Sequence, residues 1–358
     1  MSVIRSVIAG TGSYIPPIAV PNEAFLDRDF RAADGSRLNK GNEEILKQFE
    51  AITGIRERRY CPENLYTSDI AYEAAKEAVE SSGIDPETLD YIIVAHNFGD
   101  VRPGGRSDLV PAIAARVKAK LRVRNPNAVA FDLVFGCPGW LQGMIVADAF
   151  IRSGSARRAM VIGAETLSRI SDPHDRDSLI YADGAGATIL EGRETDGRAG
   201  ILSHIARSDT LDHSGMLFMG PSYNEEMFLE ALFLKMEGRK LYKYALQTVA
   251  DSMMRCLEAA GVELQDVAKV LLHQANGKMD EAILEALYQL DGGAAPPAHV
   301  LPMTISWLGN SSVATVPTLL DLMMKGRMEN HSLSSGDNLL LASVGAGMHI
   351  NAAVYRVP

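Results

Sequence analysis

Cys137 stands in FGCPGWLQGMIVADAFIRSG, after a run of strand character that ends near Val134 and before apolar residues at helical spacing through Ile145, Ala149 and Ile151. A thiol at such a strand-to-helix turn lies near a helix N-terminus. There the free N–H groups and the dipole favour thiolate, the reactive form of cysteine. Pro138 suits a first helical turn, where its missing N–H costs nothing. Gly136 and Gly139 allow a tight backbone and close approach of a ligand. The other reading of a lone cysteine is a small buried hydrophobe. His273 closes a buried-type strand in LLHQANGKM, and Asn310 lies in WLGNSSVAT at what reads as another strand-to-helix turn. Taken singly, a satisfied core histidine and a capping asparagine account for both. Together, a cysteine nucleophile, a neutral histidine and an asparagine amide form a coherent set for thioester chemistry.

The elements around these residues repeat. A helix ending at Gly83 is followed by IDPETLDYIIVAH, closing on His96; a helix ending at Gly261 is followed by VELQDVAKVLLH, closing on His273. AVAFDLVFGCPGW and HVLPMTISWLGNSS then each read as a strand, a sharp turn and a helix start. DGAGATILEG (183–192) and VGAGMHINAAV (344–354) each read as a glycine turn entering a closing strand. Cys137 lies 41 residues after His96, and Asn310 lies 37 after His273. Two similar halves, divided at 198/199, predict a pseudo-twofold αβαβα sandwich with Cys137, His273 and Asn310 converging where the halves meet. Chance likeness between two α/β units is the alternative. The strand runs YIIVAH, AVAFDLV, AMVIGAE, KVLLHQ and NLLLASVG are nearly continuous in hydrophobicity, the pattern of strands buried on both faces. They alternate with helical patterns such as 68–83, where Ser68 can cap and Gly83 can terminate, so a mostly parallel sheet covered by helices is expected.

Composition narrows the class of function. In 358 residues, 47% hydrophobic with 31 glycines, there is room for a substantial α/β core. The net charge of −10, from 35 basic and 45 acidic side chains, argues against a general nucleic-acid binder, which needs a basic face. RVKAKLRVR (116–124) is the best local basic patch for an acidic carrier, or else the solvated face of a helix. Cys61, Cys137 and Cys256 make no disulfide framework, and no zinc spacing occurs. MSVIRSVIAGTGSYIPP reads as a first strand rather than a signal peptide, and no apolar run reaches the roughly 18 residues of a membrane span. A cytoplasmic enzyme without metal or membrane partner is expected.

TGIRERR (53–59), the Cys137 turn, GAETLSR (163–169), DPHDR (172–176), YADGAGA (181–187), HQAN (273–276), GNSS (309–312) and VGAGM (344–348) follow one another in the order of a known family. The chain resembles the β-ketoacyl-acyl-carrier-protein synthase III (ketosynthase III) group of the thiolase superfamily over nearly its whole length. That resemblance implies a thiolase fold, a homodimer, and an acyltransferase of fatty acid or specialised lipid and polyketide synthesis. Cys137 would take an acyl group from a thioester, and the backbone N–H groups of Cys137 and Ala346 would form the oxyanion hole. His273 and Asn310 would hold the extender's carbonyl while its carboxylate leaves, giving a β-keto thioester. No cofactor is implied; coenzyme A or an acyl carrier protein brings the acyl groups. Arg176 matches the family's adenine-stacking arginine, but Gln48 stands about where its tryptophan partner belongs. Lys278 replaces an arginine associated with carrier docking, and Asn276 and Trp140 are further expected contacts to the substrate or its carrier. The wall beside the nucleophile, Gly136-Cys137-Pro138-Gly139-Trp140, departs from the usual Ala-Cys-Ala-Gly-Phe. The segments 22–51 and 96–110 also depart, resembling a divergent subgroup. Head-to-head coupling or cyclisation of two longer acyl units, acyl transfer to oxygen or nitrogen, and a silent partner subunit are the competing readings.

Overall fold

The computed structural model describes residues 3–102, 106–196, 198–224, 226 and 231–358. Two sheets carry the fold. Strands β1 (Val3–Tyr14), β2 (Tyr91–His96), β3 (Val129–Val134), β4 (Arg158–Thr166) and β5 (Asp183–Thr195) make a five-stranded sheet in the order β1-β5-β4-β2-β3. Strands β6 (Gly200–Ser208), β7 (Val267–Leu272), β8 (Asn338–Gly345) and β9 (His349–Arg356) make a four-stranded sheet in the order β6-β9-β8-β7. The orders superpose as β1 with β6, β5 with β9, β4 with β8 and β2 with β7. The change from one sheet to the other falls between Thr195 and Gly200, around the expected division at 198/199.

The sheets are mixed rather than mostly parallel. β2 runs parallel to β3 and β4, and β7 to β8, but β5 and β9 return antiparallel to their neighbours. In the second half the closing strand follows a connection of only three residues, Ala346–Met348, too short for the crossover a parallel return requires; in the first half β5 reverses after the longer segment 167–182. DGAGA is not a turn at all: Asp183 already pairs with Thr166 and Gly186 with Gly163. Only Gly345–Met348 forms a turn, between β8 and β9. β3 also differs from expectation. It is the edge of its sheet, with Val129 48% and Val134 67% exposed, and it has no counterpart among the described strands of the second half.

Five layers follow from which faces are apolar. Helix α2 (Thr67–Ser82) buries Ile70, Ala71, Ala74, Ala75 and Ala78 against the first sheet, beside α3 (Ile113–Lys120). The small alanines let α2 approach closely; Gly83, at φ 67°, ends it, while Ser68 engages Asp100 instead of capping. Between the sheets lie α4 (Gly139–Arg152) and α7 (Thr315–Met324). Trp140, Leu141, Met144, Leu319 and Leu320 there meet Val161 and Leu190 of one sheet and Leu339 and Leu341 of the other. On the far side α5 (Gly238–Ala260) and α6 (Gly277–Leu290) cover the second sheet. In the 116–124 segment Arg116 pairs with Asp100 and Asp108, Lys118 donates to two carbonyls and Lys120 meets Asp69, while Arg122 and Arg124 are exposed. No helix among the described residues is long and apolar enough to cross a membrane.

Candidate active site

The middle layer brings the sequence-predicted residues to one cavity of about 1100 Å³, lined by Cys137, His273, Asn310, Ala346, Asn276 and Arg176 among others. Its body is apolar, walled by α1 (Asn42–Thr53) through Ile45, Phe49 and Ile52 and by the hairpin Leu217–Pro221/Leu232–Met236 through Phe218 and Leu234.

Cys137 sits two residues ahead of α4, with Pro138 as the N-cap. Gly136 has φ 72°, a conformation that favours glycine, and a Cβ there would lie 2.9 Å from both the Ala346 nitrogen and oxygen. A Cβ on Gly345 would lie 2.5 Å from the Cys137 nitrogen. The nucleophile turn and the β8–β9 turn are therefore interlocked backbone to backbone, which sets the Cys137 and Ala346 peptides side by side at the cavity floor. The expectation of a dipole-stabilised thiolate is corrected. Burial pushes the Cys137 thiol up to about 11, the Ser312 hydroxyl works against that, and the Glu165 charge adds to it.

His273 follows β7 and is 5% exposed. Burial lowers its pKa to about 4, so the imidazole is neutral. Its Nδ1 lies 2.7 Å from Thr315 Oγ1, and that hydroxyl also donates to the Ser312 carbonyl at 2.9 Å. With its proton given to Ser312, the hydroxyl accepts from Nδ1–H, which favours that tautomer and leaves the Nε2 lone pair for chemistry.

Asn310 does not stand at a strand-to-helix turn. A short helix, Ile305–Leu308, precedes it, and the Ser312–Ala314 turn and α7 follow. Its backbone is clamped instead to the other half, N to the Ile180 carbonyl at 3.0 Å and O from the Ala182 amide at 2.8 Å. Oδ1 accepts from the Ser312 amide at 2.8 Å, which holds that non-glycine residue at φ 54° and leaves Nδ2 as the donor towards substrate.

Among the remaining expectations, Asn276 caps α6 through Oδ1 while lining the cavity, and Arg176 lies at its mouth, as does Gln48. Lys278 is exposed on the first turn of α6, outside the lining. Trp140 is corrected: it is 1% exposed within the middle layer and touches no cavity, because its helix face points at β4 and α7. The segment 96–110 lies partly outside the described residues; its described part holds Asn97, a cavity residue. Sequence reasoning missed Asn97, Glu165, Ser312 and Thr315, which contact the nucleophile, the histidine or each other. The signal for Glu165 was an acid ending a wholly apolar strand. Arg58 of TGIRERR is fully buried and donates to the Leu179 and Val20 carbonyls, bracing the 179–182 segment that clamps Asn310.

Comparison with known proteins agrees with this geometry. Residues 131–210 match the family described as 3-oxoacyl-[acyl-carrier-protein (ACP)] synthase III, and residues 257–357 match its C-terminal counterpart. A beta-ketoacyl-[acyl-carrier-protein] synthase III from Bradyrhizobium sp. is 34% identical over 99% of both chains. The crystal structure of 3-oxoacyl-[acyl-carrier-protein] synthase III from Aquifex aeolicus superposes with a TM-score of 0.79 at 29% identity, covering 98% of this chain and 99% of that one. The priming beta-ketosynthase of the R1128 polyketide pathway superposes at 0.80 with 25% identity, over 100% and 98%. Full-length likeness in sequence and fold places this chain in the β-ketoacyl-acyl-carrier-protein synthase III family of thiolase-fold proteins.

Proposed function

We propose that the chain is a condensing acyltransferase that loads an acyl group onto Cys137 and extends it with a malonyl-type thioester to a β-keto thioester. The observation that carries this reading is the convergence of Cys137, neutral His273 and Asn310 at the end of one long apolar cavity, beside the Cys137 and Ala346 amides. In the first half, Sγ attacks the donor's thioester carbon while His273 Nε2 takes the thiol proton. The two backbone amides hold the oxyanion, the carbon–sulfur bond of the donor breaks, and its thiolate leaves with the proton from Nε2. In the second half, the extender's carboxylate departs as carbon dioxide. The electron pair moves onto the thioester carbonyl oxygen, held by Asn310 Nδ2 and by His273 Nε2–H, for which the imidazole exchanges its Nδ1 proton for one on Nε2 while the Thr315 hydroxyl turns from the Ser312 carbonyl to Nδ1. The enolate carbon attacks acyl-Cys137, a carbon–carbon bond forms, and the cysteine sulfur is released.

The basic side chains at the cavity mouth, Lys40, Arg176, Arg239, Lys240 and Lys243, fit a substrate that arrives on a phosphorylated pantetheine arm. With Gln48 facing Arg176's end of the cavity in place of an aromatic partner, an acyl carrier protein is favoured over coenzyme A as the donor. Intact-protein mass spectrometry after incubation with acyl-coenzyme A and acyl-carrier thioesters tests the reading. A gain of one acyl group, absent in Cys137→Ala, is expected. No adduct with any donor, or an adduct that persists in the variant, would overturn it.

A further inference from the structure

Glu165, one residue before the end of β4, is wholly buried, with no lysine or arginine paired to it among the described residues. A carboxylate in such a place needs a reason, because burial without a counter-charge is costly. Its Oε2 accepts from the Asn97 backbone amide at 2.9 Å and from Asn97 Nδ2 at 2.6 Å, while Oε1 has no hydrogen-bond partner. Asn97 Nδ2 carries a second proton, which goes to Ser312 Oγ at 3.1 Å. Having accepted there, the Ser312 hydroxyl has its own proton to give, and it lies 3.3 Å from Cys137 Sγ.

Each donor in this row has one direction. Were the Asn97 amide turned over, Oδ1 would face Ser312, whose proton would go to that oxygen instead of the sulfur. Two donors from one residue onto one carboxylate oxygen forbid the turn. Ser312 is also held at φ 54°, an arrangement a non-glycine residue keeps only under constraint, and strain of this kind collects at functional positions.

We propose that Glu165 is a positioning residue for the nucleophile: through Asn97 it fixes the Ser312 hydroxyl in the direction that donates to Cys137 Sγ. The inference rests on Cys137 being the nucleophile. The row serves the sulfur both as entering thiolate and as the group released after condensation, since a donor stabilises negative charge on sulfur in each step. Glu165 also opposes that charge by its own. Burial pushes its pKa up to about 7, with His96 countering, so its charge varies near neutral pH. The titratable groups around it are His96 of β2, Asp132 of β3 bonded to His96, Cys137, and Asp183 of β5, itself held by Ser168 and the Cys61 amide.

The test measures carboxamidomethylation of Cys137 by iodoacetamide across pH 6 to 10, alongside decarboxylation of a malonyl thioester. Glu165→Gln and Glu165→Ala are both uncharged, so their difference isolates the acceptor that holds Asn97. Alkylation in the alanine variant is expected to be about tenfold slower than in the glutamine variant, the usual size of one lost hydrogen bond to a charged atom. In Glu165→Gln the pH midpoint should move down, because the neighbouring negative charge is gone. Asn97→Ala should lose about tenfold against the wild type, and Ser312→Ala should abolish any further effect of Glu165→Ala. Decarboxylation should stay within threefold in Glu165→Gln and Glu165→Ala. Equal alkylation in the two Glu165 variants, additive losses with Ser312→Ala, or a decarboxylation loss as large as the alkylation loss would overturn the proposal. Should Glu165→Ala fail to fold, Asn97→Ala carries the same test from a surface-proximal connection. Alkylation that survives Cys137→Ala would sink the nucleophile reading instead.

Discussion

At the scale of single residues, Asn310 and His273 have separable consequences. Nδ2 of Asn310 has its work in the extender half, so Asn310→Ala should lower decarboxylation by roughly 10²–10³, the usual cost of one oxyanion donor. Acylation of Cys137, read by mass, should change less than tenfold; equal losses in both would refute the division of labour. His273 leaves a trace in stability. Its folded pKa of about 4 lies below the ordinary value of 6.5, so between those pH values the unfolded chain binds a proton that the folded chain does not. Stability should therefore fall as pH drops from 6.5 towards 4, by at most about 3 kcal/mol from this group. The slope should flatten in His273→Gln, measured by thermal unfolding across that range, and parallel curves would contradict a neutral buried imidazole. Cys137, His273 and Asn310 were readable because each sits in a short motif at an element end. Glu165, Asn97, Ser312 and Thr315 were not, since Asn97 and Ser312 meet across 215 positions and no local pattern marks such a contact.

At the scale of elements, hydrophobic runs found the five strands they marked to within two residues, and Gly83 found the end of α2. What they could not find was neighbourhood. β3 has the same apolar character as β2, yet it lies at an edge, because residue type reports a preference for strand and not the number of partners. The stretch HVLPMTISWLGNSS reads as strand, but Asn310 is held by a single bridge to Tyr181 rather than by a ladder. That clamp depends on how closely β4 approaches the Ser312–Ala314 turn. A Cβ on Gly163 would lie 2.2 Å from the Val313 carbonyl oxygen, a backbone atom that cannot swing away. Gly163→Ala should cost about 1–3 kcal/mol, the range for overpacking, and should displace Asn310 and Ser312 together. Urea unfolding with Cys137 acylation read in parallel checks this. Gly215→Ala, at an exposed position where an added Cβ meets nothing within 4 Å, is the control that should leave both unchanged.

At the scale of the molecule, the duplication was legible because two halves with one topology must each repeat helix, strand and turn in one order. The αβαβα layering was legible with it, but that α4 and α7 are the helices of the shared middle layer was not, since that depends on how the two sheets face each other. Net charge shows the same contrast of sum and placement. A chain at −10 repels an acidic carrier on average, yet Lys40, Arg176, Arg239, Lys240 and Lys243 gather at one opening. Lys40, Arg176 and Lys240 are partly offset by Glu44, Asp177 and Glu237, which leaves Arg239 and Lys243 as the stronger local sources of field. Charges at a rim steer encounter and are screened over a Debye length of about 8–10 Å at moderate salt, so they act on association more than on the chemical step. Reversing Arg239 and Lys243 to glutamate should raise KM for an acyl-carrier donor about tenfold, with kcat within twofold. Raising ionic strength from 50 to 300 mM should shrink the difference between variant and wild type. If KM holds steady while kcat falls, the rim acts on the shape of the cavity mouth through the start of α5, and the carrier docks by another face.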